Sequence, residues 1–103
     1  MWIVCKYKSK ELSTFKKNLC NRLNDEIKFY YPKIRYQRVS KNKIKYYEKN
    51  ILEEYMFCYH PLFSKQKIID LLAYTRGLKY FLMNSQNNQN EIIYFLKYCK
   101  KFE

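Results

Sequence analysis

The sequence predicts an α+β domain: an α/β sandwich with a mainly antiparallel four-stranded sheet plus a basic β-hairpin, flanked by three helices. Two observations carry this expectation. Runs of aromatic and β-branched residues are interspersed with amphipathic helical faces in the order strand, helix, strands, helix, strand, helix. A basic, tyrosine-rich stretch over residues 34–47 is interrupted by Ser40-Lys41-Asn42-Lys43, a hairpin tip in which Asn42 tolerates positive φ.

The elements follow in order. Residues 2–7 mix aromatic and β-branched side chains and form a first strand, with Ser9 as the N-cap of the helix after it. Leu12, Phe15, Leu19 and Leu23 recur at three- and four-residue steps, one face of that helix, while Lys10, Lys16, Lys17 and Arg22 lie on the other. Phe29-Tyr30-Tyr31-Pro32 reads as an edge strand or a strand end, because proline cannot donate to a ladder. Residues 34–39 and 44–47 form the hairpin. Residues 52–59 are apolar enough for a central strand covered on both faces. Alternation then sets Tyr55, Phe57 and Tyr59 on one face against Met56 and Cys58, and the three aromatics are either core or a docking patch. Ser64 caps a second helix running to about residue 74. Gly77 is the only glycine in the chain and is expected at the helix C′ position, with Arg76 beside the negative end of the dipole. The functional alternative has Arg76 presented to a phosphate or base. A strand over residues 78–83, a polar loop over 84–90 and a helix over 91–102, with Ile92, Phe95, Leu96 and Cys99 on one face, complete a single domain of 103 residues.

Composition narrows function. The net charge is +12, and residues 1–49 carry 14 Lys or Arg against 4 acids while residues 50–103 carry 7 against 5. A basic half suits a polyanionic partner, usually nucleic acid. Lysine outnumbers arginine 17 to 4, so biased base composition is an alternative source of charge, though it does not account for concentration in one half. Basic residues interleaved with Tyr36, Tyr46 and Tyr47 suit a phosphate backbone with stacked bases. Arg22, Arg38, Lys41 and Lys43 are the candidate nucleic-acid contacts of this kind. The four cysteines, at 5, 20, 58 and 99, include no Cys-x-x-Cys pair and read as small buried residues of a reduced, cytoplasmic protein. No apolar run approaches the ~20 residues of a membrane helix, and no signal-peptide pattern opens the chain. There are no paired carboxylates at a useful spacing, no metal-ligand cluster and no phosphate-cradling glycine loop. The expectation is therefore no enzyme, no cofactor, no metal, no small-molecule substrate and no membrane partner.

Four segments resemble, in order, the N-terminal domain of the NusG family of transcription elongation factors, including its RfaH-like members. They are Trp2-Ile3-Val4-Cys5-Lys6-Tyr7-Lys8 with Glu11, then Phe29-Tyr30-Tyr31-Pro32, the stretch ending Tyr55-Met56-Phe57-Cys58, and Thr75-Arg76-Gly77-Leu78 followed by Phe81. The resemblance spans nearly the whole chain, and its most specific piece is Thr-Arg-Gly-Leu. It implies docking on the clamp helices of RNA polymerase through Leu52, Tyr55 and Phe57. It also implies contact with upstream or non-template DNA through Lys8, Thr75, Arg76 and Gly77, and cytoplasmic action on transcribing polymerase. Glu53-Glu54 stands where the family has Pro-Gly, and Lys6 where RfaH-like members have a docking tyrosine. The His-Thr-Thr motif of those members has no counterpart in Ser64-Lys65-Gln66-Lys67. The family's C-terminal KOW barrel is not expected within these residues. The second expectation, which needs no polymerase, is a stand-alone RNA- or single-stranded-DNA-binding domain.

Overall fold

The computed structural model describes residues 1–101. Six strands and three helices form in the order β1 (Trp2–Tyr7), α1 (Leu12–Leu23), β2 (Lys28–Tyr30), β3 (Lys33–Ser40), β4 (Lys43–Asn50), β5 (Tyr55–Tyr59), α2 (Gln66–Leu72), β6 (Leu78–Phe81) and α3 (Gln89–Lys100). The main sheet has strand order β2-β5-β1-β6, antiparallel at every pairing, and β3 with β4 is a separate two-stranded sheet. This is the predicted α+β architecture.

The period-2 pattern of β1 and β5 builds two cores. Ile3, Cys5 and Tyr7 of β1, with Met56 and Cys58 of β5, face α1 and α2 and pack on Phe15, Leu19, Ile69 and Leu72. Phe57 faces the other way and packs with Ile92 and Leu96 of α3, bordered by Trp2, Val4, Leu52 and Phe95. The central strand is thus covered on both faces, as its continuous apolar run requires. The expected edge position of the segment before Pro32 also holds, since β2 pairs with β5 alone.

Several local expectations are corrected. Ser9 does not cap α1. It opens a 3-10 turn over Ser9–Glu11, and its backbone N–H donates to Glu54 Oε2 at 3.1 Å. Ser64 does not cap α2, whose N-cap is Lys65; the Ser64 hydroxyl donates to Pro61 O at 3.2 Å, closing a 3-10 turn over Pro61–Ser64. α2 stops at Leu72, so Gly77 lies beyond the helix end. It adopts φ +93 in a tight turn closed by Leu78 N–H to Thr75 O at 3.1 Å, the third position of a type II turn. A Cβ there would sit 2.6 Å from Phe15 Cβ, so glycine is required both for conformation and for close approach to α1. β5 begins at Tyr55 rather than residue 52, because residues 50–55 make turns with Glu53 at φ +62. Glu53 and Glu54 therefore lie in a turn. β6 ends at Phe81. The expected polar loop holds a 3-10 turn over Ser85–Asn87, and α3 starts at Gln89. The last expected helical position, Phe102, lies outside the described residues.

Among the described residues no helix is long and apolar enough to cross a membrane.

Candidate nucleic-acid interface

The hairpin is an arm. Each strand is eight residues long, which at ~3.3 Å per residue gives about 26 Å, a large part of the molecule's 54 Å longest dimension. Lys41 and Asn42 both adopt positive φ, +49 and +66, the two-residue turn whose twist suits a hairpin. Nearly every residue of the arm is exposed; Tyr36 and Asn50 are partly covered.

Register divides the arm into two unlike faces, because directly opposed residues share a face. One face carries the pairs Ile34–Lys49, Tyr36–Tyr47, Arg38–Lys45 and Ser40–Lys43. Its rings of Tyr36 and Tyr47 stack at 5.5 Å, and the Arg38 guanidinium lies 5.7 and 5.8 Å from their centroids. This face bears four cations, Arg38, Lys43, Lys45 and Lys49, and no acid. The opposite face carries Lys33–Asn50, Arg35–Glu48, Gln37–Tyr46 and Val39–Ile44. Glu48, the arm's single acid, is 3.2 Å from Arg35 and 3.9 Å from Lys33, and the tip presents Val39, Ile44 and Tyr46 to solvent. Arg38 directly opposite Lys45 is a destabilising pair for a free hairpin. The arm's charge is thus arranged for something other than its own stability.

Asn50 fixes the arm's root. Its amide donates to Tyr7 Oη at 2.9 Å and to Tyr55 O at 3.0 Å, and its Oδ1 accepts from Leu52 N–H at 2.8 Å. The side chain joins β4, β1 and β5.

A second group of the expected contacts meets at the corner between β1 and the turn before β6. Lys8 N–H donates to Gly77 O at 2.8 Å, so Lys8 and the Arg76–Gly77 turn are neighbours. Lys8 is exposed, and the Arg76 side chain is 77% exposed with its Nε 3.6 Å from Glu11 Oε1. The other expected residues here serve the fold. Thr75 is 3% exposed and its hydroxyl donates to Leu72 O at 2.7 Å. Gly77 is buried against Phe15. Arg22 donates to Leu71 O at 2.8 Å and to Thr75 Oγ1 at 3.2 Å, satisfying a carbonyl at the C-terminal end of α2. Thr75 and Gly77 are therefore removed from the contact set because they are buried; Arg22 is exposed and its guanidinium also braces the end of α2.

The three expected docking residues also separate. Phe57 is 7% exposed under α3, 5.7 Å from the Phe95 ring; it is core, and its place in an exposed patch is corrected. Leu52 is half-buried at the margin of the same cluster. Tyr55 stays accessible. It lies in a row across three strands in which Lys6 pairs with Tyr55 on one side and Tyr80 on the other. The Tyr55 and Tyr80 hydroxyls are 2.8 Å apart, and Lys6 Nζ is 5.3 Å from the Tyr55 ring centroid. The hydrogen bond to Tyr55 raises the Tyr80 phenol above its ordinary value.

Two polar anchors escaped the sequence reading. Gln89 accepts from Trp2 N–H at 2.7 Å and donates to Trp2 O at 2.6 Å, tying α3 to β1. His60 is buried; Nδ1 accepts from Leu62 N–H at 3.0 Å, so the proton sits on Nε2, 2.8 Å from Asp25 Oδ2. The hydrogen bonds from His60 and from the Glu26 N–H hold the Asp25 carboxyl below the usual carboxylate range. His60 is an N-cap before Pro61; histidine followed by proline and an apolar pair was the available signal. Among the described residues no group of three or more His, Cys, Asp and Glu side chains is placed to hold a metal ion. Cys5 and Cys58 are buried with sulfurs 3.5 Å apart, and burial pushes the Cys58 thiol well above its ordinary value, which makes it unreactive.

In comparisons with known proteins, the chain matches no family model and no curated sequence.

Proposed function

We propose that this chain is a non-enzymatic transcription-elongation domain of the NusG N-terminal type, which docks on the clamp helices of RNA polymerase and holds nearby upstream or non-template DNA to modulate pausing and processivity. The observation that carries the nucleic-acid half is the four-cation, acid-free face of the arm, with its stacked tyrosines. Cations there neutralise phosphates and release counterions, while the rings offer stacking surface to unpaired bases. Lys8 and Arg76 supply a second cationic corner. The docking half rests on the sequence resemblance and on the accessible row of Tyr55, Lys6 and Tyr80 beside Leu52. Phe57 then acts from beneath, by holding β5 against α3. In this reading the protein works in the cytoplasm, on transcribing polymerase.

The test is binding of the purified chain to RNA polymerase core and to an assembled elongation complex at two salt concentrations. Saturable core binding that survives moderate salt, and that drops in a folded Tyr55→Ala variant, is the expected result. Binding to nucleic acid alone, abolished as salt rises, would instead favour a stand-alone single-strand-binding domain. The arm favours that second reading, because its cations and rings need no polymerase to act.

A further inference from the structure

Beneath the arm's root, on the face away from the four-cation ladder, lies an open cavity of about 540 Å³ lined by Lys16, Phe29, Tyr31, Lys33, Arg35 and Glu48. The volume falls within the ~300–1,000 Å³ of small-molecule sites. Its lining comes from three elements that are distant in sequence: α1, the end of β2 and the base of the hairpin. Two ammonium groups gather around one ring. Lys16 Nζ is 5.8 Å and Lys33 Nζ 5.4 Å from the Tyr31 centroid, and Lys16 is also 5.6 Å from the Phe29 centroid. Glu48 pairs with Lys33 and Arg35, whereas no carboxylate among the described residues pairs with Lys16. The lining therefore has three cations against one acid, placed around half-buried aromatic rings.

We propose that this cavity binds one unpaired nucleotide, its base against Tyr31 and Phe29 and its phosphate between Lys16, Lys33 and Arg35, at a site separate from the cation ladder. The chemistry selects this ligand class. A bare anion would draw Lys16 and Lys33 away from the rings they cover and leave those rings without a partner, whereas a base takes the place of the ammonium groups as they turn to its phosphate; an apolar ligand would leave the surplus charge unpaired. A nucleotide carries both a planar π-face and an anionic group, and base–aromatic stacking tolerates any base. Glu48 would exchange its partners for solvent as the phosphate enters. The site rests on the nucleic-acid half of the proposed function. It predicts that a single strand engages both faces of the arm: phosphates along the ladder, one base at the root.

The experiment uses the full chain and a fluorescein-labelled single-stranded oligonucleotide with a photoreactive 4-thiothymine, read by anisotropy and by mapping of crosslinks. The expected result is a crosslink at Tyr31 or Phe29. Lys16→Gln should weaken binding about fivefold or more and lower the salt slope by about 0.7, and Tyr31→Leu should weaken it comparably. Thymidine monophosphate at high concentration should protect the crosslink, and inorganic phosphate at the same concentration and ionic strength should protect it less. If Tyr31→Leu proves misfolded by circular dichroism, Lys16→Gln and the crosslink map decide alone. Crosslinks confined to Tyr36 and Tyr47, with unchanged affinity in Lys16→Gln, would overturn the cavity site while leaving the ladder as a nucleic-acid surface. Equal protection by inorganic phosphate would reduce the cavity to a plain anion site and also overturn the proposal. No oligonucleotide binding by the wild-type chain would overturn both.

Discussion

The body and the arm of this molecule use the same residue types to opposite ends. In the body, phenylalanines are packed: Phe15 and Phe63 are fully buried and Phe57 sits under α3, while the exposed body aromatics, Tyr74 and Tyr94 among them, are tyrosines. In the arm, tyrosines are displayed, and Tyr46 is 73% exposed. Several polar groups of the body are committed, with Arg22 on a helix-end carbonyl, Gln89 on both backbone groups of Trp2, and Glu54 held by Lys79 at 2.8 Å. The arm sets Arg38 opposite Lys45 without an acid on that face. The clearest concentration of cations without an acid beside them is thus the ladder face of the arm.

Substitutions can break that division. Phe57→Ala should cost the most, about 3–4 kcal/mol, because it empties the space between β5 and α3; chemical denaturation measures it, and a folded variant of unchanged stability would return Phe57 to the surface. Gly77→Ala combines a positive φ with a Cβ placed 2.6 Å from that of Phe15, so a destabilisation of about 2–3 kcal/mol is expected, again from denaturation midpoints. Arg22→Ala should cost about 1 kcal/mol by unmaking two hydrogen bonds at the end of α2, with oligonucleotide affinity changed little. A large drop in affinity at unchanged stability would place Arg22 in the nucleic-acid interface.

Acid provides a milder probe of the body. Asp25 and Glu54 are both held below the ordinary carboxylate range, Asp25 by His60 and the Glu26 N–H, and Glu54 by Lys79 and the Ser9 N–H. Each contributes stability that is fully present above the unfolded carboxylate pKa and is lost as pH falls through the depressed folded value. Thermal midpoints should therefore fall on the acid side of that range, and Glu54→Gln should flatten the dependence.

Much of this division was legible before the structure. The strand over residues 2–7, the alternation of β5, the apolar face of α1 and the Asn42 tip are short-range patterns, and each formed as expected. What the sequence did not reveal depends on long-range company. Gly77 advertises a positive φ, but only the position of Phe15 shows that it also serves close packing. Tyr55 and Phe57 share a face in any strand; which one is covered depends on where α3 lands, and that is fixed by Gln89 gripping Trp2. Ser9 and Ser64 look like caps because the residues after them are helical in pattern. Each is instead occupied by a 3-10 turn, so the helix starts later. Lys16, Tyr31 and Arg35 carry no motif in common and meet only because the hairpin root folds back towards α1.

The most direct test of the ladder's role is to remove its charge. Arg38→Gln, Lys43→Gln, Lys45→Gln and Lys49→Gln combined, compared with the wild type by denaturation and by single-strand binding across a salt series, isolates one face of the arm. Stability should stay within about 0.5 kcal/mol of the wild type or rise, while affinity falls and the salt slope drops by about 0.7 for each phosphate that the variant no longer neutralises. Affinity and slope unchanged, or a chain that no longer folds, would contradict the account.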